Sequence, residues 1–174
     1  MITDQWVIPF YKKQFEWLRD VEEEMASYLQ QSADKIEEQI GVTFESMLDI
    51  GAGVGSIARV LDARGIAMTT LELVPELVET ARIRSPKSVD IRMGDFYTYT
   101  FSKQFDVVSY FDGFGIGTDN DQLTLLKRMK DWVKDDGSLL IDIYHPNYWR
   151  TMAAGQKMKI DNAERIYSFD EGNC

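Results

Sequence analysis

The stretch LDIGAGVGS (48–56) has the residue types and spacing of a ligand-binding loop, because Gly51, Gly53 and Gly55 follow an apolar run at alternate positions. Glycine permits backbone angles and close approaches that a side chain would block. In a parallel α/β sheet, ligands bind at the carboxyl ends of the strands, and the helix after such a loop offers free N–H groups to an anionic group. The pattern predicts such a site; the alternative is a tight strand-to-helix turn that binds nothing.

The residues around the loop narrow the class of ligand. A dinucleotide fingerprint needs Gly or Ala five residues after Gly51, where Ser56 stands, and no Lys-Ser or Lys-Thr pair follows as in nucleoside triphosphate loops. Glu72 ends the second predicted strand, 21 residues after Gly51, where an acid can accept both hydroxyls of a ribose. The spacing predicts that the ligand is a nucleoside with a compact tail. The alternative is that Glu72 lies at a solvated strand end.

Further acids follow at the same edge of the predicted sheet. Asp95 lies between Gly94 and Phe96 after the third predicted strand, where it can accept from an adenine amino group while Phe96 packs on the ring; the alternative is a turn cap. Asp49, just before the glycines, is expected to be a buried carboxylate that organises the loop or assists a cationic ligand through water. A ligand with positive charge suits the four acids expected around the site, which are Asp49, Glu72, Asp95 and Asp112.

Strands and helices that alternate along the chain are predicted to position these residues. Strand-length apolar runs lie at 46–50, 66–72, 88–93, 105–111 and 138–144. Helical patterns lie between them at 56–65, 75–84 and 119–134. This alternation predicts an α/β fold with a doubly wound, mostly parallel sheet, because right-handed crossovers place helices on both faces.

Local signals make these predictions specific. Gly65 is predicted to follow the end of the first of these helices, and Pro75 to begin the second. The third is predicted to start with a capping box of Thr118 and Asp121 and to end at Gly137. Its predicted apolar face comprises Leu123, Leu126, Met129 and Val133.

The two ends of the chain have weaker patterns. Residues 1–45 are predicted to be helical, with an acidic face opposite an apolar one. The apolar positions are Val21, Met25, Tyr28, Leu29, Ile36 and Ile40. After His145, a short helix is predicted over 147–154 and a hairpin over 156–169, with its turn at Asp161 and Asn162.

A series of motifs in this sequence resembles that of class I S-adenosylmethionine-dependent methyltransferases of the small-molecule type. The motifs are DIGAGVG, Glu72, GDF at 94–96, FDVVSYFDG at 105–113 and DDGSLLIDIY at 135–144. The resemblance covers about residues 46–145 and implies a Rossmann-like methyltransferase fold, with S-adenosylmethionine as cofactor and S-adenosylhomocysteine as product. Residues 1–45 are similar to the helical segment that often lids such a site.

The resemblance also implies roles for individual residues. The glycine loop, which contains Gly51, Gly53 and Gly55, would approach the methionine moiety. Glu72 would hold the ribose, and Asp95 and Phe96 would hold the adenine. The segment 110–113 would line the methionine amine and sulfonium, while Trp6 and Tyr11 would close over the cofactor. The residues implied in cofactor binding are Tyr11, Asp49, Gly51, Ala52, Gly53, Gly55, Glu72, Leu73, Gly94, Asp95, Phe96, Tyr110, Phe111 and Asp112.

The reaction that the resemblance implies is in-line transfer of a methyl group to an O or N of a small-molecule acceptor. A general base is needed only if the acceptor is protonated, and the candidates are Asp112, Tyr144 and His145. His145 is the only histidine and follows the fifth predicted strand. The alternative is a loop histidine that makes structural hydrogen bonds.

Composition limits the partners and the compartment. The chain has 174 residues, a net charge of −10 and one cysteine. The charge favours a small-molecule partner over nucleic acid or an anionic membrane, and the lone cysteine suits a cytoplasmic protein. No apolar run approaches the length of a membrane span. No metal site is predicted, and the protein is expected to be a monomer or a homodimer.

The predicted organisation has three parts: an N-terminal helical lid segment (1–45), a cofactor-binding α/β core (46–145) and a post-core helix and hairpin segment (146–174). The family's sheet usually has seven strands, whereas five are predicted here, so the chain is expected to be C-terminally incomplete. The alternatives are that residues 156–169 or another chain cover the fifth strand. Two other functions remain open: a non-catalytic cofactor-binding module or partner subunit, and a dinucleotide-binding oxidoreductase domain.

Overall fold

The structure, a computed structural model, describes residues 6–18, 26–143, 145–153, 157–160, 163–166 and 168. These residues belong to two compact units, Met1–Asp142 and Ile143–Cys174. The three-part division drawn from the sequence, with boundaries at residues 45 and 145, stays a prediction.

A five-stranded sheet forms the centre of the first unit. Its strands are β1 (Ser46–Ile50), β2 (Ala67–Glu72), β3 (Asp90–Met93), β4 (Phe105–Tyr110) and β5 (Val133–Ile141). They pair in the order β3-β2-β1-β4-β5, and every pair is parallel. The predicted α/β class and doubly wound sheet are therefore confirmed. The strand order reverses between β1 and β4, which is where open α/β sheets bind ligands.

Helices cover both faces of this sheet. They are α1 (Val7–Leu18), α2 (Ala26–Ile40), α3 (Ser56–Ala63), α4 (Pro75–Arg84) and α5 (Asp119–Trp132). One apolar cluster joins α2 and α3 to the sheet through Ala33, Ile36, Ala58 and Leu61. A second cluster joins α5 to the other face through Leu125, Met129 and Trp132. Because the central strands are buried on both faces, they are continuous apolar runs, which made them recognisable in the sequence.

The end of α5 differs from the prediction. The capping box of Thr118 and Asp121 is confirmed, but the helix ends at Trp132 instead of near Gly137. Val133 leaves the helix because it pairs with Phe105 at the start of β4, so Gly137 lies within β5. The register of the two strands then shifts between Phe105 and Val107.

The apolar face predicted for α5 is confirmed at Met129 but was wrong at Leu123, and Val133 is buried as part of β5. The side chains that it buries are Leu125, Met129 and Trp132. Leu123, a predicted core residue, is 50% exposed. The Trp132 ring packs edge-to-face against Phe101, with 5.4 Å between ring centroids. This contact with the segment before β4 fixes the rotation of the helix about its axis.

Asp106 joins three segments at the amino ends of the central strands. Its Oδ2 accepts the backbone N–H of Glu45 at 3.0 Å and that of Ser46 at 2.8 Å, together with the Ser46 hydroxyl. Its Oδ1 accepts from Lys134 Nζ at 2.6 Å. The Lys134 hydrogen bond, with those from Ser46 and Glu45, holds the pKa of Asp106 well below its usual range. Asp106 thus fixes the starts of β1 and β5 to β4, at the end of the sheet opposite the glycine loop.

The N-terminal segment forms α1 and α2, in agreement with its predicted helical character. Val21 and Met25 lie outside the described residues, and Tyr28, a predicted apolar-face residue, is 58% exposed. Lys12 of α1 forms an ion pair with Glu76 of α4. This contact places α1 beside the start of α4, near the carboxyl end of β2.

The second unit contains α6 (Pro146–Ala153) and the antiparallel strands β6 (Lys157–Ile160) and β7 (Ala163–Ile166). The predicted helix and hairpin are confirmed, although the turn residues Asp161 and Asn162 lie outside the described part of the chain. Among the described helices, none has the length and apolar character needed to cross a membrane.

Candidate functional site

Two cavities lie at the carboxyl ends of β1, β2 and β4. The first has a volume of about 230 Å³ and is bounded by the glycine loop, the ends of β2 and β4, and α1. The second, of about 330 Å³, lies between the glycine loop, α2 and the start of α3. Four residues line both cavities: Gly51, Gly53, Phe111 and Asp112. Together the cavities form an elongated site across the ends of the central strands.

Glu72 connects the end of β2 to the glycine loop. Its Oε2 accepts the Gly53 N–H at 2.8 Å, and its Oε1 accepts the N–H groups of Leu73 and Val74, also at 2.8 Å. Burial raises the pKa of Glu72 above its usual range, although these three backbone donors act in the opposite direction. Glu72 lines the first cavity and is 7% exposed, so it is not the solvated strand end of the alternative interpretation.

Asp95 forms a turn and also lines the first cavity. Its Oδ1 accepts the Tyr97 N–H at 2.8 Å, which is the turn-capping role given as the alternative. The two functions are compatible, because a carboxylate has a second oxygen that can accept from a ligand. Phe96 and Tyr97 pack edge-to-face with 4.7 Å between ring centroids. The ring centroids of Phe96 and Tyr110 lie 5.5 Å apart. These rings give the first cavity an aromatic wall.

Asp49 is a buried carboxylate, as expected from the sequence, and lines the second cavity. Its Oδ1 accepts from Ser109 Oγ at 2.8 Å. Burial raises the pKa of Asp49 to about 7, against the Ser109 hydrogen bond, and the negative charge of Glu72 adds to the effect. In the sheet, Asp49 stands in register between Ser109 on β4 and Thr70 on β2, whose buried hydroxyl has no partner among the described residues.

The Tyr110 ring separates the glycine loop from the turn after β4. A Cβ at Gly51 would lie 2.9 Å from this ring, and one at Gly113 would lie 2.5 Å from its hydroxyl oxygen. A side chain at either position would therefore have to displace the buried Tyr110 ring. Burial raises the pKa of Tyr110 well above its usual value, and the nearby Tyr11, Tyr97, Glu72 and Asp112 add to this. The ring is thus a packed part of the wall of the first cavity.

The sequence pattern missed part of the contribution of α1. Tyr11 lines the first cavity as the resemblance implied, together with Val7 and Gln14. Val7 and Gln14 are four residues before and three residues after Tyr11, so all three lie on the same side of α1. The helical period of the sequence could therefore have identified Val7 and Gln14. Trp6 lies elsewhere: it is 48% exposed, packs against Phe10 with 5.9 Å between ring centroids, and is not among the lining residues.

The remaining predicted binding residues have different positions. Ala52 lines the second cavity and Leu73 the first. Gly55 and Gly94 line neither cavity among the described residues: Gly55 precedes α3 with φ of 71°, and the Gly94 N–H donates to Glu72 O at 2.9 Å. These two glycines shape the backbone beside the site.

The candidate bases are only partly described. Asp112 lines both cavities. Tyr144 lies outside the described residues. His145, in the second unit, accepts the Asn147 N–H at its Nδ1 at 3.2 Å, and its carbonyl accepts the Tyr148 N–H. These bonds cap the start of α6, which agrees with the structural alternative given for His145; its catalytic role stays a prediction.

The charge of the site is uniformly negative. Within the part of the chain that the structure describes, the residues that line the two cavities include Asp49, Glu72, Asp95 and Asp112 but no lysine, arginine or histidine. Among the described residues, no group of three or more His, Cys, Asp or Glu side chains could hold a metal ion. Such a lining attracts a cationic ligand and disfavours a pyrophosphate.

Replacing Gly51 with alanine is expected to lower the free energy of unfolding by about 2–4 kcal/mol, because it adds both backbone strain and a clash with the buried Tyr110 ring. Gly65→Ala is the matched control: Gly65 also has positive φ (93°), but nothing lies within 4 Å of its would-be Cβ. It is expected to cost about 1 kcal/mol from strain alone. Urea unfolding of both variants measures the difference, and equal losses would show that Tyr110 does not oppose a side chain at Gly51.

Comparisons with known proteins agree with this geometry. A family model described as "Methyltransferase domain" matches residues 47–137, more than half of the chain. No curated protein sequence matches the chain. Among solved structures, a similar one is the amino pentose methyltransferase from Micromonospora echinaspora involved in calicheamicin biosynthesis, with a TM-score of 0.60, 24% identity, and coverage of 68% of this chain and 50% of that one.

Two other solved structures share the fold at lower identity. The plantazolicin methyltransferase has a TM-score of 0.69 and 15% identity, with coverage of 84% of this chain and 59% of that one. The CcbJ methyltransferase from Streptomyces caelestis has a TM-score of 0.66 and 14% identity, with coverage of 77% of this chain and 57% of that one. The chain thus spans between half and three fifths of the length of these three structures. The fold is the Rossmann-like methyltransferase fold, and the chain belongs to the methyltransferase domain family.

Proposed function

We propose that the protein is an S-adenosylmethionine-dependent methyltransferase that acts on an O or N of a small-molecule acceptor. The observation that carries the proposal is the Glu72 carboxylate, buried at the end of β2 and hydrogen-bonded to the glycine loop, in a cavity whose described lining residues include none that is basic. A nucleoside with a cationic tail fits this lining. Several similar structures were solved with S-adenosylmethionine or S-adenosylhomocysteine, which supports the same ligand here.

Each part of that ligand has matching residues in the site. Glu72 would accept from the ribose hydroxyls, while Asp95 would accept from the adenine amino group beside the ring of Phe96. Asp112, the acid among the four residues that line both cavities, would face the sulfonium. The residues present therefore fit the cofactor, although Glu72 already accepts three backbone N–H groups and would have to share its oxygens with the ribose.

The cofactor supplies an activated methyl group, so the chain's own residues need only bind, orient and exclude water. Tyr11 of α1 and the aromatic wall would cover the cofactor. Holding the acceptor in line with the methyl group supplies about 7–11 kcal/mol of barrier reduction in well-oriented systems. Asp112 is our candidate for holding a proton of the acceptor, because it lines both cavities.

The net charge of −10 supports a small molecule over a nucleic acid as the acceptor. The single cysteine suits a reducing cytoplasm. We expect a monomer or a homodimer. A dinucleotide oxidoreductase is less compatible with the site, because the carboxylates around the glycine loop would repel a pyrophosphate.

Calorimetric titration of the chain with S-adenosylmethionine, S-adenosylhomocysteine and NADH tests the proposal. Saturable heat with the first two and none with NADH is the expected result. A folded chain that binds only NADH would support the oxidoreductase, and one that binds none of the three would contradict the cofactor assignment. Release of S-adenosylhomocysteine with a panel of small amines and hydroxyl compounds would then separate an enzyme from a non-catalytic binding module.

A further inference from the structure

The turn after β4 contains a strained residue that β5 holds in place. Asp112 has a φ of 55°, in the left-handed region that residues other than glycine rarely adopt. Strain of this kind persists only where the surrounding structure imposes it. The Asp112 N–H donates to Asp142 Oδ1 at 2.9 Å, and the Asp142 N–H donates to Tyr110 O at 3.3 Å. Asp142, the residue directly after β5, therefore contacts both the last residue of β4 and the turn that follows it.

The turn is also tight, so its conformation sets the shape of the site. Gly113 folds back over the Tyr110 ring, as its close approach to the phenol oxygen shows. Phe111 and Asp112 line both cavities, whereas Asp142 lines neither. A rotation of the backbone at Asp112 would move the wall that the two cavities share.

We propose that Asp142 is a positioning residue of the cofactor site, which fixes the turn after β4 so that the Asp112 carboxylate faces the sulfonium end of S-adenosylmethionine. The inference rests on the proposed function and deepens it, because it assigns a role to a residue outside both cavities. The contact needs only a hydrogen-bond acceptor at Asp142; its negative charge is not required.

The two forms of the cofactor distinguish this role from a general effect on folding. S-adenosylmethionine carries a positive sulfonium, whereas S-adenosylhomocysteine has a neutral thioether. A displaced Asp112 carboxylate therefore lowers affinity for the first ligand more than for the second. The other acids of the lining, Asp49, Glu72 and Asp95, lie on different segments and would keep their places.

Calorimetric titration of Asp142→Ala with both ligands is the main test. The expected result is about tenfold weaker binding of S-adenosylmethionine, on the order of one solvent-accessible attraction between a carboxylate and a cation, and less than about threefold weaker binding of S-adenosylhomocysteine. Asp142→Asn keeps the acceptor oxygen and is expected to retain wild-type affinity for both within about threefold. An unchanged ratio of the two affinities in Asp142→Ala, or the same loss in Asp142→Asn, would overturn the inference.

A second pair of variants covers a failure to fold. Asp112→Gly removes the strain and the carboxylate together, so adding Asp142→Ala to it should leave the ratio of the two affinities unchanged. If Asp142→Ala alone does not fold because the turn is strained, the double variant is expected to fold, since glycine at position 112 adopts positive φ without strain. If the double variant also fails to fold, the inference is wrong. Absence of binding by the wild-type chain would instead contradict the proposed function, and the inference would fall with it.

Discussion

Glu72→Gln is expected to weaken binding of S-adenosylhomocysteine by about 100-fold or more. Hydrogen bonds to a charged group contribute roughly 1.5–3 kcal/mol each, and two ribose hydroxyls would donate to this carboxylate. Glutamine has one acceptor oxygen, and its NH2 group must face either the Gly53 N–H or the N–H groups of Leu73 and Val74. The substitution therefore disturbs the loop as well as the ribose contact. Calorimetric titration measures the loss of affinity.

The control for this experiment is Glu79→Gln, which makes the same change of charge on the exposed side of α4. It is expected to leave affinity unchanged. Glu72→Gln is also expected to cost about 1–3 kcal/mol of unfolding free energy, because at least one buried N–H group loses its acceptor. A folded Glu72→Gln protein with wild-type affinity would show that Glu72 organises the loop without binding the ribose.

The sequence predicted the residues that are brought together by the sheet itself. In a parallel sheet the carboxyl ends of all strands lie at one edge, so Gly51, Glu72 and Asp95 had to meet once each was placed at the end of a strand. Glu72 was recognisable because it ends the next apolar run after the glycine loop, 21 residues beyond Gly51, where an acid can bind a ribose. The sites of these side chains follow from backbone periodicity and need no knowledge of packing.

The sequence could not predict features that depend on contacts between distant segments. By helical spacing, a face that contains Leu123 and Leu126 could be buried as readily as one that contains Leu125. The packing of Trp132 against Phe101 selects the face with Leu125. Asp142 lies within the DDGSLLIDIY motif, but that pattern assigned it no role. Its contact with Asp112 exists because β4 and β5 are neighbours that end together. Local patterns identify elements, whereas tertiary contacts fix their rotation and connect their ends.

Asp49→Asn is expected to stabilise the protein above pH 7 and to leave its stability unchanged near pH 3. Burial raises the pKa of Asp49 from 3.8 to about 7. Between these values the unfolded chain releases a proton that the folded chain retains, so the wild type loses stability as the pH rises from about 4 to about 7. Asparagine has no proton to release and still offers Ser109 an acceptor oxygen. The difference between the two pKa values sets an upper limit of about 4 kcal/mol on the increase in the free energy of unfolding.

Urea unfolding at pH 3 and pH 8 without added ligand measures this gain, with Asp135→Asn, a fully exposed carboxylate of β5, as the control. A change of equal size at both pH values would show that burial of charge is not its cause.

If the site takes a cationic cofactor, that ligand should favour the ionised form of Asp49, and Asp49→Asn should bind S-adenosylmethionine more weakly than the wild type does. The same substitution would then raise stability and lower affinity, which is expected when a buried acid is retained for binding at the expense of the fold. A variant that gains stability at pH 8 and keeps full affinity would separate Asp49 from the cofactor, and would leave the hydrogen bond to Ser109 as its role in the sheet.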